Sequence, residues 1–267
     1  MREFSADYLD RTRRGMWADS RAALADLSLS SRQRVLDVGC GTGELTAVLA
    51  EETGGTVVGV DADTELLTTA RDRSRDGIDG YAAGDAVRLP FAADSFDLVV
   101  CQALLVNLPE PPAALREFAR VSRDLVAAVE PDNADVAVSS TVETEASLEA
   151  EARAAFVDGV ATDVTTADLT ETFAAAGLSA VSTRRYHHEK RVTPPYSETD
   201  LEGATRKATG AALASHETEL RRALSPTAYD DLRQRWRAMG RDVVEQMQTD
   251  DYERVEVVPF DVTVGRV

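Results

Sequence analysis

Residues 35–43 read Val35-Leu36-Asp37-Val38-Gly39-Cys40-Gly41-Thr42-Gly43, an apolar strand followed by a loop with glycine at every second position. A helical pattern covers residues 44–52, and a second apolar strand over residues 56–60 ends in Asp61. Glycine tolerates the positive φ that a sharp turn needs, and its missing Cβ lets a ligand approach the backbone. This order of elements predicts a nucleoside-binding crevice, in which the Asp61 carboxylate accepts ribose hydroxyls.

The spacing of these glycines distinguishes two classes of ligand. A dinucleotide-binding loop follows the pattern G-x-G-x-x-G. Here the place of its third glycine is taken by Glu44, whose charge at the start of the helix would repel a pyrophosphate. The spacing therefore argues against a nicotinamide-dependent oxidoreductase, which is one alternative interpretation of the crevice.

The pattern Asp37-x-Gly39-x-Gly41-x-Gly43 resembles the first motif of the class I S-adenosylmethionine-dependent methyltransferases. Within residues 31–135, later segments resemble the family's other motifs in order: Asp61-Ala62, Gly84-Asp85-Ala86, Leu89-Pro90-Phe91, residues 94–100 and Gln102-Ala103. The resemblance implies a methyltransferase with S-adenosyl-L-methionine as its cofactor. The loop would hold the amino-acid end, Asp61 the ribose and Asp85 the adenine amino group. The implied cofactor-binding residues are Asp37, Gly39, Cys40, Gly41, Gly43, Asp61, Ala62, Asp85, Ala86 and Gln102.

Strands and helices alternate through the same region. The predicted strands lie near residues 33–38, 56–61, 79–83, 96–101 and 124–130, and the predicted helices near 43–53, 63–75 and 111–120. Continuous apolar strands indicate a parallel sheet covered on both faces. Ligands of such sheets bind at the carboxyl ends of the strands, an edge that here gathers Gly39, Asp61, Asp85, Gln102 and Glu130. Together with the resemblance, this predicts an α/β fold: a Rossmann-like, doubly wound, mostly parallel seven-stranded sheet with an antiparallel last strand and an added helical cap.

A single domain over residues 1–267 is the predicted organisation, with residues 31–135 as the cofactor-binding core. An N-terminal helix over residues 5–28 is expected to form a lid within residues 1–30, lined by Tyr8, Arg14 and Trp17, or else to pack on the core. Residues 136–177 and 196–248 are expected to be helical additions that form a substrate cap. Their predicted elements are helices over 143–158 and 166–176, each ended by a glycine, and a helix with an apolar stripe from Ser225-Pro226. Strands are predicted over 178–189 and 255–264.

Composition sets the expected compartment. The 267 residues are 43% hydrophobic, contain no run of eighteen apolar residues, and carry no apolar signal core after Met1. We expect a cytoplasmic protein without a membrane span. The two cysteines, Cys40 and Cys101, suggest neither a structural disulfide nor a metal site.

The net charge of −18 is accompanied by a shortage of lysine, since only Lys190 and Lys207 are lysines among 29 basic residues. We interpret this pattern as adaptation to a very salty cytoplasm, as in a halophilic protein. The alternative is a repulsive field that excludes nucleic acid and acidic partners. High salt would screen that field over a few ångströms.

Methyl transfer from a sulfonium is an in-line displacement that depends mainly on alignment and exclusion of water. A base is needed where the acceptor is a hydroxyl or an ammonium. The candidates are Glu130, Asp132, His187, His188 and His216. Each has a structural alternative: Asp132 fits a turn after a proline, and adjacent histidines on a strand point to opposite faces. No residue is assigned a catalytic role from the sequence.

The expected acceptor is a small, partly hydrophobic molecule, because Gln102-Ala103-Leu104-Leu105 follows the fourth strand as a largely apolar wall. Arg184, Arg185 and Arg191 could bind an acidic group or merely balance the acidic surface. No basic stripe with interleaved aromatic residues is present, so nucleic acid is not an expected partner. The alternatives are an RNA or protein methyltransferase on the same core, or a non-catalytic protein that binds the cofactor.

Overall fold

The structure is a computed structural model that describes Leu9 and residues 16–19, 21–162 and 165–267. Its strands are β1 (Arg34–Val38), β2 (Thr56–Asp61), β3 (Ile78–Ala83), β4 (Phe96–Gln102), β5 (Ser122–Pro131), β6 (Ala137–Ser140), β7 (Ser179–Val192) and β8 (Arg254–Arg266). Its α-helices are α1 (Met16–Asp19), α2 (Glu44–Glu52), α3 (Thr64–Asp72), α4 (Pro111–Val121), α5 (Glu145–Gly159), α6 (Leu169–Ala175), α7 (Glu198–Thr209), α8 (Ala211–Ala214), α9 (Glu217–Ala223) and α10 (Pro226–Gln248). None of these helices is long and apolar enough to cross a membrane.

The described residues separate into two compact units. The first, which we call the sheet unit, comprises Met1–Pro131, Thr165–Tyr186 and Phe260–Val267. The second, the helical unit, comprises Asp132–Val164 and His187–Pro259. The boundary passes through β7 and β8, so each of these long strands contributes residues to both units.

The sheet unit contains a mostly parallel sheet. β1 pairs in parallel with β2 and β4, β2 pairs with β3, and β4 pairs with β5. The last residues of β8 run antiparallel to β5, from Leu125 opposite Arg266 to Pro131 opposite Phe260. The strand order of the whole sheet is β3-β2-β1-β4-β5-β8-β6, and β7 also pairs with β8. The predicted α/β fold class is confirmed, including the antiparallel last strand, with eight strands in the sheet rather than the predicted seven.

The sheet is buried on both faces because its central strands carry few polar residues. Every residue of β4 is buried. Val99 and Cys101 pack into one hydrophobic layer with Phe118, whereas Leu98 and Val100 pack into the other with Leu49. Alternate side chains of a strand point to opposite faces, so a continuous apolar run supplies two layers at once.

The helical unit is built around α10. Its side chain at Ser225 accepts a hydrogen bond from the amide of Ala228 at 3.2 Å, and Pro226 occupies the first turn, so the predicted helix start is confirmed. The predicted apolar stripe is a packing face, with Tyr229, Leu232, Trp236, Met239 and Val243 all buried. A Cβ on Gly240 would lie 2.3 Å from the backbone of Ala208, so glycine lets α10 pack closely against α7.

Several predicted elements differ in detail. The helix expected over 143–158 runs from Glu145 to Gly159, so Gly159 is its last helical residue rather than the cap that follows it. A Cβ at Gly159 would lie 1.9 Å from the carbonyl oxygen of Glu219, so this glycine serves the close approach of α9. The helix expected over 166–176 begins at Leu169, with Gly177 at φ 93° after its end. Strand β6, which pairs with the first residues of β8, was not predicted.

The N-terminal prediction is tested only in part. Tyr8 and Arg14 lie outside the described residues. Residues 16–19 form the short helix α1, and Arg21–Leu27 form a 3₁₀ helix, so the continuous α-helix expected up to residue 28 is not present there. Trp17 is buried in the core of the sheet unit.

Candidate cofactor-binding site

The glycine loop leaves β1 in a left-handed backbone conformation. Gly39, Gly41 and Gly43 have φ values of 71°, 55° and 83°, which other residues adopt only with strain. The amides of Gly39 and Cys40 donate to the carbonyl oxygen of Val60 at 2.7 and 3.1 Å. These bonds hold the loop over the end of β2, and Gly43 then caps the start of α2.

Asp61 lies at the end of β2, as predicted, and its carboxylate faces the glycine loop. One oxygen accepts the amide of Gly41 at 2.8 Å, and the other accepts the amide of Asp63 at 2.9 Å. A carboxylate oxygen has two lone pairs, so each keeps one acceptor site for a ribose hydroxyl. Asp61 therefore fixes the loop and presents an acid at its edge. The neighbouring Ala62 is exposed.

Asp37 is buried behind the loop. Its Oδ2 accepts the hydroxyl of Thr46 at 2.6 Å, which ties β1 to the first turns of α2. The implied role of Asp37 in cofactor binding stays a prediction. Its observed contact holds the start of the helix whose amides face the crevice.

Tyr81 of β3 is a site residue that the sequence reasoning missed. A Cβ on Gly43 would lie 2.6 Å from the Tyr81 hydroxyl, and one on Gly59 would lie 2.5 Å from its ring. Burial, reinforced by the charges of Cys40 and Asp37, raises the pKa of Tyr81 to about 12. The ring therefore fills the space that two glycines leave beneath the loop. Gly59, unusual inside an apolar strand, was the available signal.

The segment after β3 lies beside Asp61. The amide of Gly84 donates to the Asp61 carbonyl oxygen at 3.0 Å. Asp85 forms a turn, accepting the amide of Arg88 at its carbonyl oxygen and that of Val87 at its carboxylate. Ala86 is buried. The second and third predicted motifs thus meet at one edge of the sheet, where an adenosine would need them.

Gln102 ends β4 and is buried. Its side-chain oxygen accepts the indole N–H of Trp17 at 3.4 Å, and its amide nitrogen lies 3.1 Å from the sulfur of Met16. Trp17 therefore both packs in the core and contacts a predicted cofactor-site residue. The packing interpretation of Trp17 is confirmed, whereas a lid over the cofactor stays a prediction.

Glu130 ends β5, but its carboxylate is occupied. It is fully buried and accepts the amides of Leu104 and Leu105, both at 3.0 Å, and of Val106 at 3.3 Å. These donors belong to the 3₁₀ turn Leu105–Asn107 after β4. Burial raises the pKa of Glu130 against the opposing effect of those amides. The contacts argue against Glu130 as a general base and make it the anchor of the loop after β4.

The remaining candidate bases belong to the helical unit. Asp132 is buried and accepts the amide of Ala134 at 3.2 Å, the turn that its position after a proline suggested. His187 is exposed and His188 is buried, which confirms that the two point to opposite faces. His216 lies edge-on to Phe156 at 5.0 Å. The cofactor-site residues all belong to the sheet unit, and a catalytic role for Asp132 or His187 stays a prediction.

The three arginines suggested for an acidic ligand are each paired with a carboxylate. Arg184 lies 3.1 Å from Asp26, Arg185 2.9 Å from Asp261, and Arg191 pairs with Glu189. Their observed partners favour the structural interpretation.

The arrangement fits the cofactor that the sequence implied. The glycine loop turns through positive φ values, the Asp61 carboxylate contacts it, and the start of α2 carries an acid that suits a cationic ligand. Cys40 and Cys101 are both buried, and neither forms a disulfide. Among the described residues, no cluster of three His, Cys, Asp or Glu could hold a metal ion.

Comparison with known proteins agrees with this geometry. Residues 36–125 match the family described as "Methyltransferase domain". The methyltransferase GfsG of Streptomyces halstedii is 41% identical over 101 residues, which are 36% of this chain and 36% of that protein. The demethylmenaquinone methyltransferase of Roseiflexus sp. is 39% identical over 111 residues, 40% of this chain and 44% of that protein. The matches therefore span less than half of these relatives.

A solved structure resembles nearly the whole chain. The YcgJ protein of Bacillus subtilis covers 92% of this chain and 98% of its own, with a TM-score of 0.55 and 17% sequence identity. At that identity the likeness shows a shared fold. Sequence similarity is thus concentrated in the cofactor-binding half, while the fold likeness extends further.

Proposed function

Residues 36–125 of this chain form a methyltransferase domain of the class I, S-adenosylmethionine-dependent type, and from that premise we propose that the protein transfers a methyl group to a small-molecule acceptor. The observation that carries the proposal is the contact of the Asp61 carboxylate with the amide of Gly41 at 2.8 Å. It joins the glycine loop to the acid that we propose binds the ribose.

The bound cofactor would supply an activated methyl group on a cationic sulfur, so the protein need not supply a nucleophile. Asp61 would orient the ribose, and Asp85 with the backbone of Ala86 would orient the adenine. The glycine loop would hold the amino-acid end. Catalysis would then come from alignment of the acceptor and exclusion of water.

We propose that the acceptor is small and partly apolar. Leu104 and Leu105 follow Gln102 at the end of β4, and both are buried. Leu104 lies 3.0 Å from where a Cβ on Gly39 would stand, so this apolar wall adjoins the loop. The relative from Roseiflexus is named for a quinone acceptor, demethylmenaquinone, which is consistent with an apolar wall.

Replacement of Asp61 tests the cofactor site. We expect Asp61→Ala to weaken binding of S-adenosylmethionine by roughly 10- to 100-fold, because a charge-assisted hydrogen-bond pair is lost. Isothermal titration calorimetry measures this directly. Asp63→Ala is the matched control, since Asp63 caps α3 through the amides of Glu65 and Leu66 and carries the same charge two residues away. Equal affinity in wild type and Asp61→Ala would refute the ribose assignment.

Transfer itself is tested with methyl-labelled S-adenosylmethionine and a small-molecule extract at molar salt. The expected result is label in a low-mass product, strongly reduced with Asp61→Ala when the cofactor concentration is below saturation. Label appearing only in protein or RNA fractions would favour the alternative methyltransferase class. Binding without any labelled product would favour a non-catalytic cofactor-binding protein.

We also propose a cytoplasmic, high-salt setting. Two buried cysteines that form no disulfide and the net charge of −18 support it.

A further inference from the structure

Two arginines of the helical unit lie beside the carboxylate of Glu256, which also attracts the ammonium of Lys190. Arg254 Nη1 lies 3.2 Å from Glu256 Oε2, and Arg153 Nη2 lies 3.9 Å from Glu256 Oε1. Lys190 is an electrostatic partner of the same carboxylate. Within the described chain, Lys190 nevertheless makes neither a hydrogen bond nor an ion pair. We call these four residues the Glu256 cluster.

The neighbouring carboxylates are already engaged. Arg254 Nη2 lies 2.6 Å from Glu149, and Lys207 contacts both Glu149, at 2.7 Å, and the fully buried Glu145. Three carboxylates thus face four cations. The surplus positive charge is notable in a chain whose net charge is −18.

The surplus positive charge belongs to Arg153 and Lys190, which are the least closely paired of the four cations. The Nε of Arg153 is shielded from solvent, and no hydrogen-bond partner for it is found in the described part of the chain. Burial also lowers the pKa of both side chains, against the attraction of Glu256. Burying a cation without a full complement of partners is costly, and an anion from solution would offset that cost.

Three other arginines differ from Arg153 because each forms a close ion pair with a carboxylate. Arg184, Arg185 and Arg191 each have a carboxylate partner, so they have no comparable capacity for an anion. Arg153 offers planar N–H donors and Lys190 a compact ammonium, a combination that suits two oxygens of one oxyanion.

We propose that Arg153 and Lys190, beside Glu256, form a binding site for a small oxyanion, either a carboxylate or a phosphate group. The site lies wholly within the helical unit. It does not depend on the proposed methyl transfer, so the two proposals can fail separately.

Calorimetry with inorganic phosphate and with acetate, at fixed ionic strength, tests the site and distinguishes the two oxyanions. We expect at least one to bind the full chain. Arg153→Gln and Lys190→Gln should each weaken that binding by roughly tenfold, the loss of a charge-assisted contact. Arg235→Gln is the matched control, because Arg235 is an exposed arginine of the same unit already paired with Glu151 and Asp231. Its affinity should equal that of wild type.

Thermal unfolding without added oxyanion separates this role from a structural one. An unmatched cation destabilises the unit, so Lys190→Gln should keep or raise the unfolding midpoint, and phosphate or acetate should then raise the wild-type midpoint by more than that of the variant. A lower midpoint for Lys190→Gln would show that the ammonium is a structural partner of Glu256 and would overturn the proposal. So would wild-type affinity in both variants, or the absence of binding at about 10 mM of either anion.

Discussion

At the scale of single residues, Glu130 shows most clearly how a position in the sequence can suggest a role that the contacts of the side chain do not favour. It follows a strand at the ligand-binding edge, where a base would be useful. In the fold, its carboxylate accepts three consecutive amides, from Leu104 to Val106. A carboxylate spent on backbone donors has little capacity left to take a substrate proton.

Replacing Glu130 should therefore change stability in a pH-dependent way. Glu130→Ala leaves three buried N–H groups without an acceptor and should cost about 3 kcal/mol or more. Because burial raises the native-state pKa above the ordinary 4.5, the contribution of the carboxyl is full below that value and is lost as the pH rises through the raised pKa. Glu130→Gln does not titrate, so its deficit relative to wild type should be largest near about pH 4 and shrink towards about pH 8.

Chemical denaturation across that pH range measures the effect, and Glu117→Gln is a control of opposite sign. The hydrogen bond from Arg120 lowers the pKa of Glu117, so that deficit should be largest at neutral pH and shrink as the pH falls. If the stability deficits of the two variants changed with pH in the same direction, the structural role assigned to Glu130 would be contradicted.

At the scale of secondary-structure elements, the site depends on how β1, β2, β3 and α2 meet. The glycine loop closes over the end of β2, and Tyr81 of β3 supports it from below. Gly43 and Gly59 are the positions that give the ring room. The loop is therefore held by packing from a neighbouring strand as well as by its own turns.

Adding a methyl group at Gly43 should expose this dependence. Gly43→Ala combines overpacking against Tyr81 with left-handed strain and should cost about 2 kcal/mol. Tyr81→Phe removes the hydroxyl that lies 2.6 Å from the new methyl group, so the double variant should recover about half of the loss.

Urea denaturation measures each step of this cycle. Gly177→Ala is the control, because Gly177 has a φ of 93° but no atom within 4 Å of an added Cβ. Tyr81→Phe should give Gly177→Ala no relief. If the changes in unfolding free energy caused by Gly43→Ala and by Tyr81→Phe simply add in the double variant, Tyr81 does not support the loop.

At the scale of the whole molecule, the main feature is the excess of acidic over basic residues. The chain carries 47 acidic and 29 basic residues, and both lysines lie in the helical unit around Glu149 and Glu256. Arginine pairs bidentately and holds its charge when buried, whereas lysine adapts as a point charge. Of the two lysines, Lys207 contacts the buried carboxylates of Glu145 and Glu149.

The thermal midpoint should depend strongly on salt. Screening of the net charge of −18 should raise the unfolding temperature by on the order of 10 °C between about 0.1 M and about 2 M KCl. Calorimetry in a KCl series measures this rise. Sucrose at matched osmolality is the control, because it strengthens burial without screening charge. The same rise in both series would contradict an electrostatic cause.

Much of the fold was predictable because its signals are local. The apolar runs of β1, β2 and β4 and the start of α10 at Ser225 each follow from a few adjacent residues. The short strand β6 was not predictable, since it exists through pairing with distant residues of β8. The role of Gly159 was misread for the same reason, because its neighbour Glu219 lies far along the chain.

The sequence by itself determined the crevice: glycines at 39, 41 and 43 and the acid at 61 lie at a spacing that adjacent parallel strands bring together. Only the tertiary structure decided which polar groups remain available to ligands. Glu130 and Arg185 are engaged by partners remote in the chain, and Arg153 and Lys190 are incompletely matched. The physical reason is that a turn or a strand is fixed by neighbours in the chain, whereas the pairing of a buried charge is fixed by neighbours in space.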